Sequence, residues 1–214
     1  MAAQSVDRLF FAAFPDRAAA ERIARLAFGL RARHRIRGLP LRRERFHVSL
    51  CLVGNYYGLP PGLLAQLREA VAGITARPFT VMFDRVKSFS GRAGHRPLVL
   101  CGGEGTAGLE MFQDKVRRAV AGAGFRHSTS PALHPHVTLL YGDHDLPEQP
   151  VEPISWTVRE LVLVHSLHGQ TMYHPRGRWL LHAGRPLEPV IERGIADQEV
   201  RPTGFNRTSA DHGD

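Results

Sequence analysis

The sequence predicts a mixed fold of helices and strands, built as two similar lobes that face each other across a cleft. The segment HVSL at 47–50 recurs as HVTL at 136–139, an offset of 89 residues. An apolar, strand-like run opens 38 residues before each motif histidine, at Leu9 and at Leu98. Each half therefore consists of a strand, a helix and a motif strand. Such a repeat is typical of two lobes related by an approximate two-fold axis, with the motif strands meeting between them.

The first half opens with a strand and a helix. The apolar run 8–14 has the length of a strand and is ended by Pro15. Asp16 stands where a helix N-cap is expected, and apolar residues at helical spacing predict a helix over about 17–32. The first motif follows as a strand over 46–53.

The rest of the chain alternates between segments with helical spacing and apolar runs of strand length. Helical spacing predicts one helix that starts at Pro60-Pro61 and another that Thr106 caps and that ends near Gly122 or Gly124. Apolar runs predict the remaining strands. These strands cover 79–86, 97–101, 134–141, 156–165 and 171–181, and the last two form a hairpin around Gly169.

The first motif places polar and apolar side chains on opposite faces of its strand. Because side chains alternate along a strand, His47 and Ser49 point to one face. Val48, Leu50 and Leu52 point to the other face, into a core. The second motif repeats this arrangement.

The polar faces of the two motifs together offer two imidazoles and two hydroxyls. An imidazole beside a hydroxyl can bind and protonate an oxyanion. The unperturbed pKa of histidine, roughly 6.5, lets one copy act as a base and the other as an acid near neutral pH. His47, Ser49, His136 and Thr138 are therefore the candidate residues for acid–base chemistry on a phosphate.

The composition, with 43% hydrophobic residues, is that of an ordinary globular protein. No apolar segment reaches the length of a signal-peptide core or a membrane span, so we expect a cytoplasmic protein. Cys51 and Cys101 lie in apolar strands, which favours buried free thiols over a disulfide or a metal site. The apolar pattern fades after residue 185. We therefore expect one domain with two internal lobes over 1–185 and a disordered acidic tail over 186–214.

The formal net charge is +8, and the predicted tail contributes −3, which leaves +11 on residues 1–185. Nearly all of the positive charge is arginine, whose planar fork suits phosphate binding, although an arginine bias in the coding sequence would give the same count. The excess favours an anionic partner such as nucleic acid. The basic residues of 31–37 and 42–45 form either a solvated face or a phosphate contact beside His47. The glycine-rich basic loop 87–96 either approaches a phosphate or simply connects a hairpin.

The sequence resembles the two-histidine (2H) phosphoesterases, specifically the LigT-like bacterial RNA 2′,3′-cyclic phosphodiesterases, also called 2′-5′ RNA ligases. The resemblance covers about residues 8–181. It rests on RLFFAAFPD at the start, FHVSLCLVG and HPHVTLLYGD at the motifs, and residues 166–169, Thr171, Tyr173 and Arg178-Trp179 near the end. It implies a bilobal α+β fold, with two pseudo-symmetric antiparallel-sheet lobes, helices outside and a central cleft.

The resemblance also implies a reaction. The family opens a terminal 2′,3′-cyclic phosphate on RNA to a 2′-phosphomonoester without a metal cofactor, and the reverse reaction joins RNA ends through a 2′-5′ linkage. Carried over, His47 is the proton donor and His136 the proton acceptor. Ser49 and Thr138 would then hydrogen-bond the substrate phosphate. RNA ends or cyclic nucleotides are the expected substrates, and we expect a monomer.

Two positions depart from the family pattern. The family often has an arginine where this chain has Tyr141, so we expect Tyr141 to contact the substrate in its place, with Arg178 as a possible cationic helper. Arg178 could equally be a solvent-exposed arginine of the last strand. The family also favours an aromatic residue at Leu52, which the alternation of the strand sends to the core.

Three alternatives remain open from the sequence. The substrate could be another small molecule, such as an ADP-ribose cyclic phosphate or a 2′-5′ oligonucleotide. The chain could be a non-catalytic RNA-binding module whose histidines only contact phosphate. His134, His136 and His144, with Asp143 and Asp145 nearby, could hold a metal, although the repeat accounts for His136 without a ligand set.

Overall fold

A computed structural model describes residues 7–125, 134–143, 145–167 and 172–190. These residues form nine strands and three α-helices. The strands are β1 (Asp7–Ala13), β2 (Val48–Tyr56), β3 (Phe79–Ser88), β4 (Arg96–Cys101), β5 (His136–Gly142), β6 (Gln149–Val158), β7 (Glu160–Leu167), β8 (Tyr173–Leu180) and β9 (Glu188–Pro189), and the helices are α1 (Arg17–Arg33), α2 (Leu63–Ala72) and α3 (Ala107–Gly122). The strands make one open antiparallel sheet in the order β6-β3-β4-β5-β2-β1-β7-β8-β9.

The sheet divides into two lobes at its centre. The first lobe contains β2, β1, β7, β8 and β9, and the second contains β5, β4, β3 and β6. Val48 of β2 lies opposite Val137 of β5, and no other residue pair joins these two strands in the described ranges. We call these two residues the central valine pair. The predicted pair of similar lobes, with the motif strands meeting between them, is confirmed.

Each lobe includes strands from the other half of the chain, namely β3 in the second lobe and β7, β8 and β9 in the first. β3 follows the first motif along the sequence but pairs with β4 in the second lobe. β7 follows the second motif but pairs with β1 in the first lobe. Counted from the centre of the sheet, each lobe therefore has the motif strand first, the opening strand of the same half next, and then a strand from the other half. The exchange joins both halves of the sequence in one folding unit.

The two long helices occupy equivalent positions in the repeat. Shifting α1 by 89 residues superimposes its bounds on those of α3 to within one residue. Ile23 and Ala27 of α1 are fully buried, and so are their equivalents Phe112 and Val116 of α3. α1 packs on β5 and β6, while α3 packs on β2 and β3, so the helix of each repeat covers the motif strand of the other. The buried side chains of both helices belong to one hydrophobic core.

The helix N-termini differ in how their backbone groups are satisfied. Asp16 caps α1 as predicted, since its Oδ1 accepts a hydrogen bond of 2.8 Å from the backbone N–H of Ala19. Thr106 precedes α3 but does not cap it through its side chain. Its hydroxyl donates instead to the carbonyl of Gly103 at 2.8 Å, closing a short 3₁₀ turn. In the described part of the chain, no helix is long and apolar enough to span a membrane.

Two strands were missed by the sequence patterns. β6 contains Pro150 and Pro153 and forms an edge of the sheet, where a missing backbone N–H is tolerated. β9 lies within the predicted tail. Leu187 is buried, and its N–H donates to the carbonyl of Ile74 at 2.8 Å, so residues 186–190 pack on the domain. The rest of the predicted tail, and the predicted turn at Gly169, lie outside the described residues.

Both motif strands carry a β-bulge at equivalent positions. The pairing of β1 with β2 skips Leu50, and the pairing of β4 with β5 skips Leu139, its two-fold mate. Because a bulge shifts the alternation by one residue, Cys51 is buried in the core beside Leu50, and Leu52 is 39% exposed. The prediction that Leu52 points into the core was therefore wrong. Cys51 and Cys101 are buried free thiols, as predicted.

Candidate active site

Four polar side chains surround the central valine pair. The two valines are fully buried in the core, so the residues on either side of them point to the opposite face of the sheet, into the cleft. These are His47 and Ser49 in the first lobe and His136 and Thr138 in the second, and all four are half-buried. Extending the antiparallel register by one residue sets His47 opposite Thr138 and Ser49 opposite His136. The fold thus brings together the four residues that the motifs predicted.

The two imidazoles are held in the same way. Nδ1 of His47 lies 2.8 Å from the carbonyl oxygen of Arg45, and Nδ1 of His136 lies 2.8 Å from that of His134. A carbonyl oxygen can only accept, so Nδ1 carries the proton in both rings. In the neutral state Nε2 is therefore the unprotonated nitrogen, and it is the atom that can take up or release a proton.

Ser49 links one imidazole to the opposing helix. Its hydroxyl oxygen lies 3.1 Å from Nε2 of His47, and its backbone carbonyl accepts a hydrogen bond of 3.2 Å from Nε2 of Gln113 on α3. Gln113 is a buried polar residue. Because buried polar groups need partners, this contact fixes the position of the β2 backbone beside the histidine.

Aromatic rings flank both histidines. The ring of His47 lies 5.1 Å from Phe10 and 6.0 Å from Phe14 between centroids, and Tyr173 meets it edge-on at 5.3 Å. The ring of His136 is met edge-on by Phe89 at 4.8 Å. The loop 87–96, read from sequence as a phosphate loop or a plain connection, thus reaches the site through an aromatic side chain.

The burial of the two imidazoles shapes their titration. Burial lowers the pKa of His47 to about 4 and also lowers the pKa of His136, because a charged ring loses its hydration. The hydrogen bonds to the backbone carbonyls act in the opposite direction. The positive charges of His136 and Arg45 lower the pKa of His47 further. Both rings are therefore biased towards the neutral form, in which Nε2 can accept a proton.

Arg45 places a cation at the site. The family resemblance did not predict a role for this residue. Its guanidinium carbon lies 4.7 Å from the ring centroid of Tyr173, and its Nη2 donates to the Tyr173 hydroxyl at 3.2 Å. Its Nε is buried, without a hydrogen-bond partner among the described residues. The signal in the sequence was the basic run 42–45, for which a phosphate contact beside His47 was one of the two interpretations.

The two remaining candidates lie further from the histidines. Tyr141 is on the cleft face of β5, beyond the bulge, and is 40% exposed. Arg178 pairs with Val162, which pairs with Ala12, the partner of Ser49. Three strand spacings of ~4.8 Å therefore separate the backbones of Arg178 and Ser49, roughly 14 Å. Nη1 of Arg178 donates to Glu160 at 3.0 Å, so the structure does not bring this arginine to the imidazoles.

For the metal alternative, the structure describes only part of the proposed ligand set. Nδ1 of His136 is hydrogen-bonded to the carbonyl of His134, and His144 lies outside the described residues.

The comparisons with known proteins agree with this architecture. The family model of the 2′-5′ RNA ligase superfamily matches residues 14–170, which include both motifs. The structure of E. coli LigT complexed with 3′-AMP is similar, with 27% identity and a TM-score of 0.63 over 82% of this chain and 98% of that one. The protein TT0787 of Thermus thermophilus shares the fold at 18% identity, with a TM-score of 0.64 over 81% of this chain and 97% of that one. The predicted LigT-like fold is confirmed. No curated protein matches the chain.

Proposed function

The chain belongs to the 2′-5′ RNA ligase superfamily of 2H phosphoesterases, and from that premise we propose that it opens 2′,3′-cyclic phosphates at RNA ends to 2′-phosphomonoesters. The observation that best supports this is the matched state of the two imidazoles. Each donates from Nδ1 to a carbonyl two residues earlier, which leaves Nε2 to exchange a proton. A reaction that needs one base and one acid, on either side of one phosphorus atom, fits this arrangement.

The proposed step is an in-line displacement on phosphorus. Nε2 of His136 accepts a proton from water as the water oxygen bonds to phosphorus. The bond from phosphorus to the ribose 3′ oxygen breaks, and Nε2 of His47 gives its proton to that oxygen. The product is a 2′-phosphomonoester with a free 3′ hydroxyl. The reverse step would join RNA ends through a 2′-5′ linkage.

The hydroxyls of Ser49 and Thr138 would stabilise the charge that grows on the non-bridging oxygens. Ser49 has a further property, because its oxygen lies 3.1 Å from Nε2 of His47. When His47 is neutral, Ser49 donates its hydrogen to that nitrogen. When His47 is protonated, Nε2–H becomes the donor and the serine hydrogen is free to bond the phosphate. Protonation of the acid and binding of the phosphate would therefore favour each other.

The acid role of His47 requires a source of negative charge. With only protein groups around it, burial lowers the pKa of His47 to about 4, which opposes the protonated form. A phosphodiester anion beside the ring acts in the opposite sense, since an opposite charge within ~4–6 Å favours the charged form. We therefore propose that bound substrate phosphate raises the pKa of His47 and so prepares it as the acid.

Product analysis tests this function directly. Adenosine 2′,3′-cyclic phosphate is incubated with the protein in excess EDTA, and the 2′- and 3′-phosphate products are resolved. The expected result is hydrolysis to adenosine 2′-phosphate with no metal added. No hydrolysis would favour the non-catalytic RNA-binding module. Hydrolysis of ADP-ribose cyclic phosphate or of 2′-5′ oligonucleotides, but not of RNA cyclic ends, would favour a different substrate.

A further inference from the structure

We propose that the stacked rings of His95 and Tyr141 form a platform that binds the nucleobase of the substrate, a role that rests on the proposed cyclic phosphodiesterase function. The two ring centroids are 4.4 Å apart and the ring planes differ by 2°. His95 is exposed, and Tyr141 keeps 40% of its surface open. Each ring covers one face of the other, so a base would stack on an outer face of this exposed pair.

The bulge in β5 gives Tyr141 its orientation. Without the bulge, the alternation from His136 would turn residue 141 to the core. The register skip at Leu139 reverses this, so that Leu140 is buried and Tyr141 faces the cleft. Across the bulge, Thr138 and Tyr141 pair with Val99 and Pro97, which are two residues apart, so about 7 Å of strand separates them. That separation suits the base end of a nucleotide whose phosphate lies beside Thr138.

The local backbone holds both rings in place. His95 closes a tight turn in which its N–H donates to the carbonyl of Arg92 at 2.9 Å, and Gly94 adopts a φ of +75°. On the other side, Gly38 packs so closely against the backbone of Tyr141 that a Cβ there would clash with the Tyr141 carbonyl oxygen. A platform whose rings are fixed in advance loses little conformational entropy when a base stacks on it.

The two lobes differ at the position of Tyr141, and this difference indicates on which side of the cleft the base lies. The two-fold mate of Tyr141 is Leu52, which is 39% exposed and offers no ring. In the first lobe, Phe10 and Tyr173 pack on His47 instead. An exposed parallel stack therefore occurs on the His136 side of the described cleft, and we place the base there. Every nucleobase has a π-face, so stacking binds bases without strong sequence preference.

The test compares a substrate that has a base with one that lacks it. Steady-state constants are measured with adenosine 2′,3′-cyclic phosphate and with methyl riboside 2′,3′-cyclic phosphate. The variants are Tyr141→Leu, His95→Ala and Tyr141→Phe, which retains the ring. Tyr57→Leu is the matched control, since Tyr57 is 74% exposed and follows the end of β2 that is furthest from His47.

Tyr141→Leu should lower the preference for the adenosine substrate by roughly 5- to 150-fold, equivalent to stacking of ~1–3 kcal/mol. The loss should appear in KM. His95→Ala should also lower the preference for the adenosine substrate. Tyr141→Phe and Tyr57→Leu should keep the wild-type preference. Equal losses with both substrates, or a loss in Tyr141→Phe as large as in Tyr141→Leu, would overturn the proposal.

Calorimetry separates this proposal from the proposed function, because binding needs no turnover. If the wild-type protein hydrolyses neither substrate, the proposed function has failed. Adenosine 2′-phosphate should even then bind the wild type more tightly than Tyr141→Leu. Equal affinity of the two proteins for that nucleotide would exclude the platform.

Discussion

Val48 of the first motif lies opposite Val137 of the second, and this pair is the point about which the catalytic candidates are arranged. Both valines are fully buried. The cleft side chains on either side of them are therefore related by the same approximate two-fold axis that relates the two halves of the sequence. Within the described residues, β2 and β5 are joined by this one residue pair. The geometry of the cleft therefore depends on how each motif strand packs under the helix of the other repeat.

We expect Ser49→Ala and Thr138→Ala each to lower kcat by up to ~10²-fold, since each hydroxyl would donate one hydrogen bond to the developing charge. Thr80→Ala is a suitable control, because Thr80 is an exposed strand residue that contacts Thr157 on the outer strands. Steady-state hydrolysis of adenosine 2′,3′-cyclic phosphate provides the measurement. Wild-type rates in both variants would mean that the hydroxyls do not touch the phosphate.

The burial of His47 predicts a loss of stability in mild acid. An unfolded histidine titrates at about 6.5, whereas burial lowers the pKa of His47 to about 4. Between these values the unfolded chain binds more protons, so the stabilisation is present above pH ~6.5 and is lost as the pH falls to ~4. The difference in pKa corresponds to about 3 kcal/mol in the free energy of unfolding.

Chemical denaturation at pH 7 and pH 4 measures this effect. The wild type should lose about 3 kcal/mol more than His47→Gln across this interval. An identical loss in the wild type and in His47→Gln would show that His47 titrates normally.

Inorganic phosphate should raise the pKa of His47. The anion would supply the charge that favours the imidazolium, and the protonated ring would release the Ser49 hydroxyl to bond the ion. A titration of the His47 ring protons by NMR, with and without phosphate, should show the midpoint moving to higher pH. A midpoint that does not move would contradict the role of His47 as an acid beside the phosphate.

The boundary of the domain can be tested with two truncations. We expect deletion of 191–214 to leave folding and activity intact, because that segment lacks apolar periodicity. Deletion of 186–214 removes buried Leu187 and strand β9 as well, and should cost roughly 2–5 kcal/mol, as should Leu187→Ala. Thermal denaturation compares the two truncations and Leu187→Ala with the wild type. Aggregation of the shorter deletion would show that the domain extends beyond residue 190.

The sequence was sufficient to predict the repeat and the faces of the helices. The spacing of apolar residues such as Ile23 and Phe112 is a local property, and both are buried as expected. The orientation of Leu52 was not predictable in this way. It depends on a bulge that arises when β2 pairs with β1, a contact between strands far apart in the chain.

The surroundings of the imidazoles were harder still to predict. Tyr173 reaches His47 from β8, and Phe89 reaches His136 from the loop after β3. No local pattern indicates which distant ring will pack on a given side chain. The two halves of the repeat also differ at the position that the proposed base platform uses. Tyr141 and Leu52 occupy equivalent positions with different chemistry, so the sequence alone does not tell which lobe holds the base.

The central claim is that His47 and His136 form one acid–base pair, and rate measurements on three variants test it most directly. His47→Ala, His136→Ala and the double variant are compared with the wild type on adenosine 2′,3′-cyclic phosphate, in the presence of EDTA.

Each single variant should lose on the order of 10²–10⁴ in kcat, and the double variant should lose little more, because a concerted step fails when either partner is absent. The wild type should show a bell-shaped dependence on pH, and each single variant should lose one limb of it. The contrary result would be a wild-type rate in His47→Ala, or activity that EDTA abolishes and a divalent cation restores.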